Sequence, residues 1–418
     1  MMKIFSSLKS LKVLLNNKYR HIFYLSLIIY IWFAGEAIAE KTSHIKRLLL
    51  SRDCASCNLQ GANLEKTYLV NANLRDANLT NANLQQANLM GAYLQNAKLN
   101  KTNLRNAKLD GADLRGADLR GSDLKNSQIN DQTMLDEKWL LVWQLVNQSI
   151  IQFDAGKISL QEVNLSSANL TKINLEDANL EKANLSRADL RNSNLSLANL
   201  HQANLFIADL RGANLLGANL TEANLNNADL RSCNFSNANL KNANLSLAIL
   251  HNSNLTGANL AGANLNNADL RQIDLGNAQL EKANLFHTNL SGSNLMGANL
   301  KKAQLRAVNF EKTNLTNVKL EKINLSGVNF ISAIANGANF EESNLSGANF
   351  EDADLGNAIL RKVNLKNANL TNVNLSGANL SLANLNGANL RGAKLVGVKL
   401  DGASLCKTIM PNGTQNEC

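Results

Sequence analysis

"ANLRDANLTNANLQQANL", residues 72 to 89, repeats a small residue, an asparagine and a leucine every five positions. A period of five matches neither the 3.6 of an α-helix nor a plain alternation of two. It makes sense once the unit is divided. A-N-L alternates in, out, in like a very short strand, and the two residues that follow turn a corner. Each unit then supplies one wall of a coil, with Ala and Leu pointing inward. Asn or Asp points outward, where a short side chain can bond the backbone of the turn. The register holds from Leu59 to Ile129 and again from Leu160 to Leu405. Self-similarity at a fixed period is the mark of a stacked repeat.

Longer-range identities count the walls. The triplet D-L-R occurs at Asp189–Arg191, Asp209–Arg211, Asp229–Arg231 and Asp269–Arg271, always at multiples of 20 residues, with His251 in the skipped Arg position. Phe310, Phe330 and Phe350 repeat the same spacing at the inward position. Twenty residues per coil means four walls. At about 4.8 Å per coil the second array would extend roughly 60 Å.

The A-(D/N)-L-x-x units make the chain resemble a pentapeptide-repeat protein, and in particular the exported, cyanobacterial-type members. The resemblance implies an all-β, right-handed quadrilateral parallel β-helix, here in two arrays with a short connecting helix. Handedness comes from the resemblance alone.

Composition agrees with a narrow, repetitive core: aromatics are 5% of 418 residues and Pro411 is the single proline. The net charge of +9 hints at nucleic acid, but Lys3, Lys9, Lys12, Lys18 and Arg20 against Glu36 place +4 of it in the first 39 residues. The remaining +5 is a weak bias with no run of like charges, so no nucleic acid is expected. Residues 1–39 read as a signal peptide or uncleaved anchor. A basic stretch precedes "IFYLSLIIYIWFA" (22 to 34), and Ala37 and Ala39 have cleavage-site spacing. The repeats would lie beyond a membrane, in the periplasm or thylakoid lumen.

The expected organisation is an N-terminal segment with C-x-x-C at 40–58, a first array at 59–129, a helical insertion at 130–159, a second array at 160–405 and a tail at 406–418. Within the insertion, "LDEKWLLVWQLVNQ" reads as a helix with Asp136 as candidate N-cap. Leu135, Trp139, Val142, Trp143, Val146 and Ile150 share one face, and Leu140, Leu141 and Leu145 widen it. It can cap an open coil end or dock a protein partner or membrane, with residues 22–39 as the other candidate membrane contact. A similar K-W-x-L-V-W-Q motif lies between repeat blocks in exported members, which favours the cap.

No catalytic constellation, cofactor motif or metal-ligand spacing is present. His201 and His251 lie two and a half coils apart, and His287 falls on a third position. The chain is therefore read as a non-enzyme. Surface candidates for protein binding are the Arg191, Arg211, Arg231, Arg271 column and a broken apolar stripe of Phe206, Ile207, Leu247 and Phe286 on one wall. The leading function is an exported scaffold. An envelope-associated protein using the central helix is the alternative, and a DNA mimic is less favoured.

Of the five cysteines, Cys233 replaces an inward Ala and reads as a buried small residue. Taken alone, Cys54-x-x-Cys57 reads as a redox centre, half of a metal site or a staple. Similar pairs flank the repeats in exported members, with an M-P-(D/N)-G motif like Met410 to Gly413. That resemblance implies disulfides Cys406–Cys418 and Cys54–Cys57.

One coil tests the inward assignment. "GVNFISAIANGANF" (327 to 340) keeps register but places Ala335 in a leucine position beside Phe330 and Phe340. Two large residues and one small one in a close-packed layer indicate volume compensation. Ala335→Leu should therefore destabilise the protein by about 1–3 kcal/mol through overpacking. Thermal or denaturant melting will measure it, and an unchanged midpoint would sink the assignment.

Overall fold

The computed structural model describes residues 39–148 and 153–418. Residues 1–38, which hold nearly all of the expected signal peptide or anchor, and Ile150, expected on the helix face, lie outside them. The chain divides into two compact units, Met1–Asp136 and Glu137–Cys418. Both are built from parallel bridges that join residue i to residue i+20, as in Asn63↔Asn83 and Asn184↔Asn204. Bridges fall every five residues, so each coil carries four.

The unit 184–188 shows why this sequence makes this coil, because every N–H has a partner. Asn184 N–H donates to Val163 O in the preceding coil, and Leu185 and Arg187 donate forward to Asn204 O and Phe206 O. Ala188 N–H closes the turn on Leu185 O. That leaves Ser186, the first turn residue, whose N–H no carbonyl reaches. The Asn184 Oδ1 takes it at 3.2 Å. Asparagine also ties the coils together. Asn184 Nδ2 donates to Asn164 Oδ1, and the ladder continues through Asn204, Asn224, Asn244, Asn264 and Asn284.

Inward leucines and alanines are almost wholly buried in both units. Ala335 is fully buried, and its neighbours form one aromatic cluster. Phe330 stacks on Phe310 at 5.2 Å and on Phe350 at 4.4 Å, and Phe340 meets Phe330 edge-on at 6.1 Å.

The ladder extends past the limits expected from the sequence. It already includes Asp53↔Asn73, with Cys54 in a leucine slot and Cys57 in an alanine slot, both buried and joined to each other. At the other end of the first unit Asp113 pairs with Met134, 21 residues on, whereas Lys108 pairs with Gln128 at 20. The extra residue is absorbed in 129–133, where Asn130 Oδ1 and Thr133 Oγ1 both accept from Gly111 N–H. The second unit begins its ladder at Asp154.

Coil ends lack a neighbour, and each has its own substitute partner. Helix α1 (39–51) buries Leu48, and His44 Nδ1 accepts the Asn58 N–H. Helix α2 (Glu137–Asn147) sends Lys138 Nζ to Gln161 O, a carbonyl that in a longer stack would serve the coil before it. The α2 face differs from the expected one. Trp139, Leu141, Val142 and Leu145 are buried, Trp143 is half-exposed and Leu140 is exposed. Asp136 precedes the helix, yet its carboxylate accepts from Gly116 N–H at 3.3 Å. At the carboxyl end, residues 407–416 fold back as a hairpin on the last coil, and Cys406 is bonded to Cys418.

The left-handed turn position shows a second contact between coils. Asn237, Asn277, Asn317 and Asn357 each lie over a glycine one coil on, at Gly257, Gly297, Gly337 and Gly377. A Cβ at Gly337 (φ +66) would sit 2.5 Å from Asn317 Oδ1. Left-handed backbone is common here for other residues, Asn317 included, so the clash adds to the usual cost. Gly337→Ala is expected to cost about 2 kcal/mol. Adding Asn317→Ala should return about 1 kcal/mol of that, read from a double-mutant cycle of denaturant midpoints. Strict additivity would show that the side chain plays no part.

Candidate functional site

The polar feature that departs most from the asparagine pattern is the Asp–Arg column of the second unit. An aspartate accepts the turn N–H as asparagine does, but it has no N–H to donate to the coil before it. Asp189, Asp209 and Asp229 bridge one another in sequence, so three carboxylates stand one coil apart. The arginine two residues after each supplies the missing donors. Arg211 forks onto Asp209 through Nε (2.9 Å) and Nη2 (2.6 Å), and Arg191 and Arg231 repeat the geometry. Nε of Arg191 also lies 3.7 Å from Asp209, and that of Arg211 lies 3.6 Å from Asp229, which links successive coils. Planar bidentate geometry of this kind is what guanidinium offers and ammonium does not.

The column breaks at Ile249, where no carboxylate exists. His251 occupies the arginine position and turns forward, with Nδ1 3.4 Å from Asp269 Oδ2. Arg271 forks onto the same aspartate, with Nη2 at 2.7 Å. Two shallow concavities meet at His251, one of about 470 Å³ along Arg191, Arg211 and Arg231 and one of about 400 Å³ towards Arg271, Glu311 and Lys312. Sequence reading noted His251 as a substitution, but not that it joins these two hollows.

Electrostatics follows the geometry. The Arg191 fork holds Asp189 below the ordinary carboxylate range, against an opposing effect of burial. Burial pushes the Asp229 carboxyl up, but Arg231, its backbone N–H and the Arg211 charge together bring it below its ordinary value. Asp269, bonded by Arg271 and also by His251, is held down at about 2.

The remaining candidates are dispersed. Arg191, Arg211, Arg231 and Arg271, and likewise Phe206, Ile207, Leu247 and Phe286, occupy the two-residue turns. They therefore line corners of the coil, not the flat of a wall, because the outward wall position belongs to Asn or Asp. Phe206 and Phe286 are half-buried, whereas Ile207 and Leu247 are exposed. Phe286 meets the His287 ring edge-on at 4.1 Å. Trp139 and Trp143 sit on α2, away from this column in sequence and register. Cys233 is buried, its Sγ 3.0 Å from Leu210 O, and burial pushes its thiol up to about 12, so it is not a nucleophile at neutral pH. Among the described residues no group of three or more His, Cys, Asp or Glu side chains could hold a metal ion.

A pH dependence follows from Asp269. Its folded value near 2 lies below the ordinary value of 3.8, so its stabilising contribution is complete above about pH 4 and is lost as pH falls towards 2. Asp269→Asn keeps the turn bond but removes this titration. The variant should lose less stability than wild type between pH 4 and pH 2, by on the order of 1 kcal/mol after solvent screening. Acid denaturation curves of the two proteins will measure the difference, and parallel curves would mean that the fork contributes nothing.

The pattern of these ladders is shared with known proteins. The family described as "Pentapeptide repeats (8 copies)" matches successive stretches from 57–95 and 87–126 through 158–196 to 375–412. HetL, a pentapeptide repeat protein involved in heterocyst differentiation regulation from the cyanobacterium Nostoc sp. strain PCC 7120, is 28% identical. The match covers 68% of this chain and all of HetL, with a TM-score of 0.19. A pentapeptide repeat protein from the Arabidopsis thaliana thylakoid lumen is 34% identical over 23% of this chain and 66% of its own, with a TM-score of 0.23. Rfr23 from the cyanobacterium Cyanothece 51142 is 33% identical over 29% of this chain and 63% of its own, with a TM-score of 0.17. No curated protein matches the chain. The repeats themselves, matched along most of the sequence, carry the conclusion: the chain belongs to the pentapeptide-repeat family, whose members fold as right-handed β-helices.

Proposed function

We propose that this protein is an exported, non-catalytic scaffold. It presents the walls and corners of two right-handed quadrilateral β-helices to a protein partner, in the periplasm or thylakoid lumen. The observation that carries the reading is the filled and self-satisfied coil. The inward side chains leave no chamber for a substrate, and the outward asparagines and the Asp–Arg forks are bonded within the protein. What such a rod can offer is shape and position. Paired cysteines at both ends of the repeats fit an oxidising compartment.

The contact surface is the corner carrying Phe206, Ile207, Leu247 and Phe286, which runs over four coils, or roughly 19 Å. Its exposed apolar groups have no bonding partner to give up, whereas each column arginine would have to leave its aspartate. The column is charge-balanced, which argues against mimicry of a nucleic acid. Among the described residues no helix is long and apolar enough to cross a membrane, and the α2 apolar face is largely buried, so central-helix membrane docking has little to draw on.

The test is quantitative affinity capture from native extract with wild type, with Ile207→Glu plus Leu247→Glu, and with Arg211→Ala plus Arg231→Ala. The corner variant should lose at least tenfold of the captured partner while keeping its melting temperature, and the arginine variant should retain it. The reverse pattern would move the binding surface to the column.

A further inference from the structure

The amino-terminal end of the first unit carries a surface that the scaffold reading does not use. Helix α1 turns Leu48 fully into the coil, and His44 is engaged with Asn58, so its inner side is occupied. Its last turn nevertheless leaves two adjacent leucines in water, Leu49 at 50% and Leu50 at 86% exposure. Two residues on, the Arg52 guanidinium lies 4.8 Å from the centre of the Tyr68 ring, and Tyr68 is itself 60% exposed. Met90, also exposed, lies on the next coil beside the turn that follows Tyr68, where its carbonyl accepts from Asn71 N–H. A single exposed leucine is ordinary, but an adjacent exposed pair two residues from an arginine that covers an exposed tyrosine concentrates apolar surface in the first coils of the unit.

The charge around it is predominantly basic. Residues 39–53 contain Lys41, Lys46, Arg47 and Arg52 against Glu40 and Asp53, a net of +2. Arg47 is shared with Asp53 at 3.7 Å, but Lys46 and Arg52 make no ion pair among the described residues. Leucines to bury, a tyrosine with one polar end and unpaired basic side chains around them are the composition of an interfacial membrane contact.

We propose that this end of the first unit docks on an anionic lipid surface. Leu49 and Leu50 enter the boundary of the acyl chains, Tyr68 lies at headgroup level, and Lys46 and Arg52 meet lipid phosphates. The sign of the charge selects this occupant, since each basic group near such a surface adds attraction that an uncharged bilayer lacks. Position along the chain supports it. Four residues separate the apolar run at residues 22 to 34, read above as part of a signal peptide or uncleaved anchor, from the start of α1 at residue 39.

The cysteine arrangement allows a local test on the full chain. Four cysteines are paired and Cys233 is buried, so Leu50→Cys introduces the one readily labelled thiol. With an environment-sensitive dye at that position, vesicles of phosphatidylcholine containing one-third phosphatidylglycerol should give a blue shift. Partition should be at least tenfold stronger than on phosphatidylcholine alone and should weaken with added salt. In the same background Leu49→Ser and Arg52→Gln should each weaken it several-fold without changing the melting temperature. Equal partition on both vesicle types, or none, would overturn the proposal. So would a blue shift without vesicles: one that grows with protein concentration would assign the patch to a second copy, and one that persists in dilute protein would assign it to the chain itself.

Discussion

The coil rests on one hydrogen bond repeated on most of its walls. Turning the backbone through a corner with two residues leaves the first turn N–H with no carbonyl within reach, and an unpaired backbone donor in a tightly packed stack is expensive. Asn184 Oδ1 accepting from Ser186 N–H removes that problem locally. The same side chain then uses Nδ2 to hold the coil before it, so one residue completes the turn and joins the stack. Asparagine has both an acceptor and a donor in a short side chain. Aspartate has only the acceptor, and the D-L-R triplet is the resulting alternative: the carboxylate keeps the turn bond while arginine, two residues on, supplies the donors.

The narrow coil also restricts the chemistry available to the protein. Leucines and alanines meeting from the inward faces fill the interior, and larger residues enter only with compensation, as where Phe330 and Phe340 flank the small Ala335. Most serines and threonines at the small inward position turn the hydroxyl back to the backbone, as Ser253 does to Leu230 O and Thr313 to Leu290 O, whereas the buried Ser193 Oγ has no partner among the described residues. A hydroxyl held in that way is neither activated nor accessible, and the buried Cys233 behaves alike. Activity is thereby moved to the outer surface, where a side chain at a turn can vary without disturbing the ladder.

Much of this was legible because the repeat is strict. The inward and outward assignment, the twenty-residue coil and the D-L-R columns all follow from identities at fixed spacing, and the bridges and forks lie where that spacing puts them. What escaped sequence reading lies where the period gives no signal. Cys54 fills a leucine slot, but nothing before it repeats, so the periodic reading starts the array one unit late, at Leu59. Met134 pairs one residue out of step, which a periodic reading takes for the end of the array. The buried face of α2 was misassigned because seven of its eleven residues are apolar and many stripes fit. Leu49 and Leu50 went unnoticed for the same reason: in a short leucine run, only the position of Leu48 tells which side faces inward.

The interior units and the ends therefore carry different information. An interior wall offers a partner little that is not already bonded, because each coil satisfies the next through near-identical contacts. An end has no neighbour, and its unpaired groups need substitutes drawn from outside the repeat: His44 for the Asn58 N–H, Lys138 for the Gln161 carbonyl, and a folded-back hairpin on the last coil. Segments recruited for that purpose are free of the five-residue rule on every face that does not touch the coil. Side chains such as Leu50, or at corner positions such as Ile207, can be chosen for what lies outside the protein. In a chain whose repeats are so nearly alike, specificity has to reside in these departures, since the repeated surface cannot distinguish one of its own coils from the next.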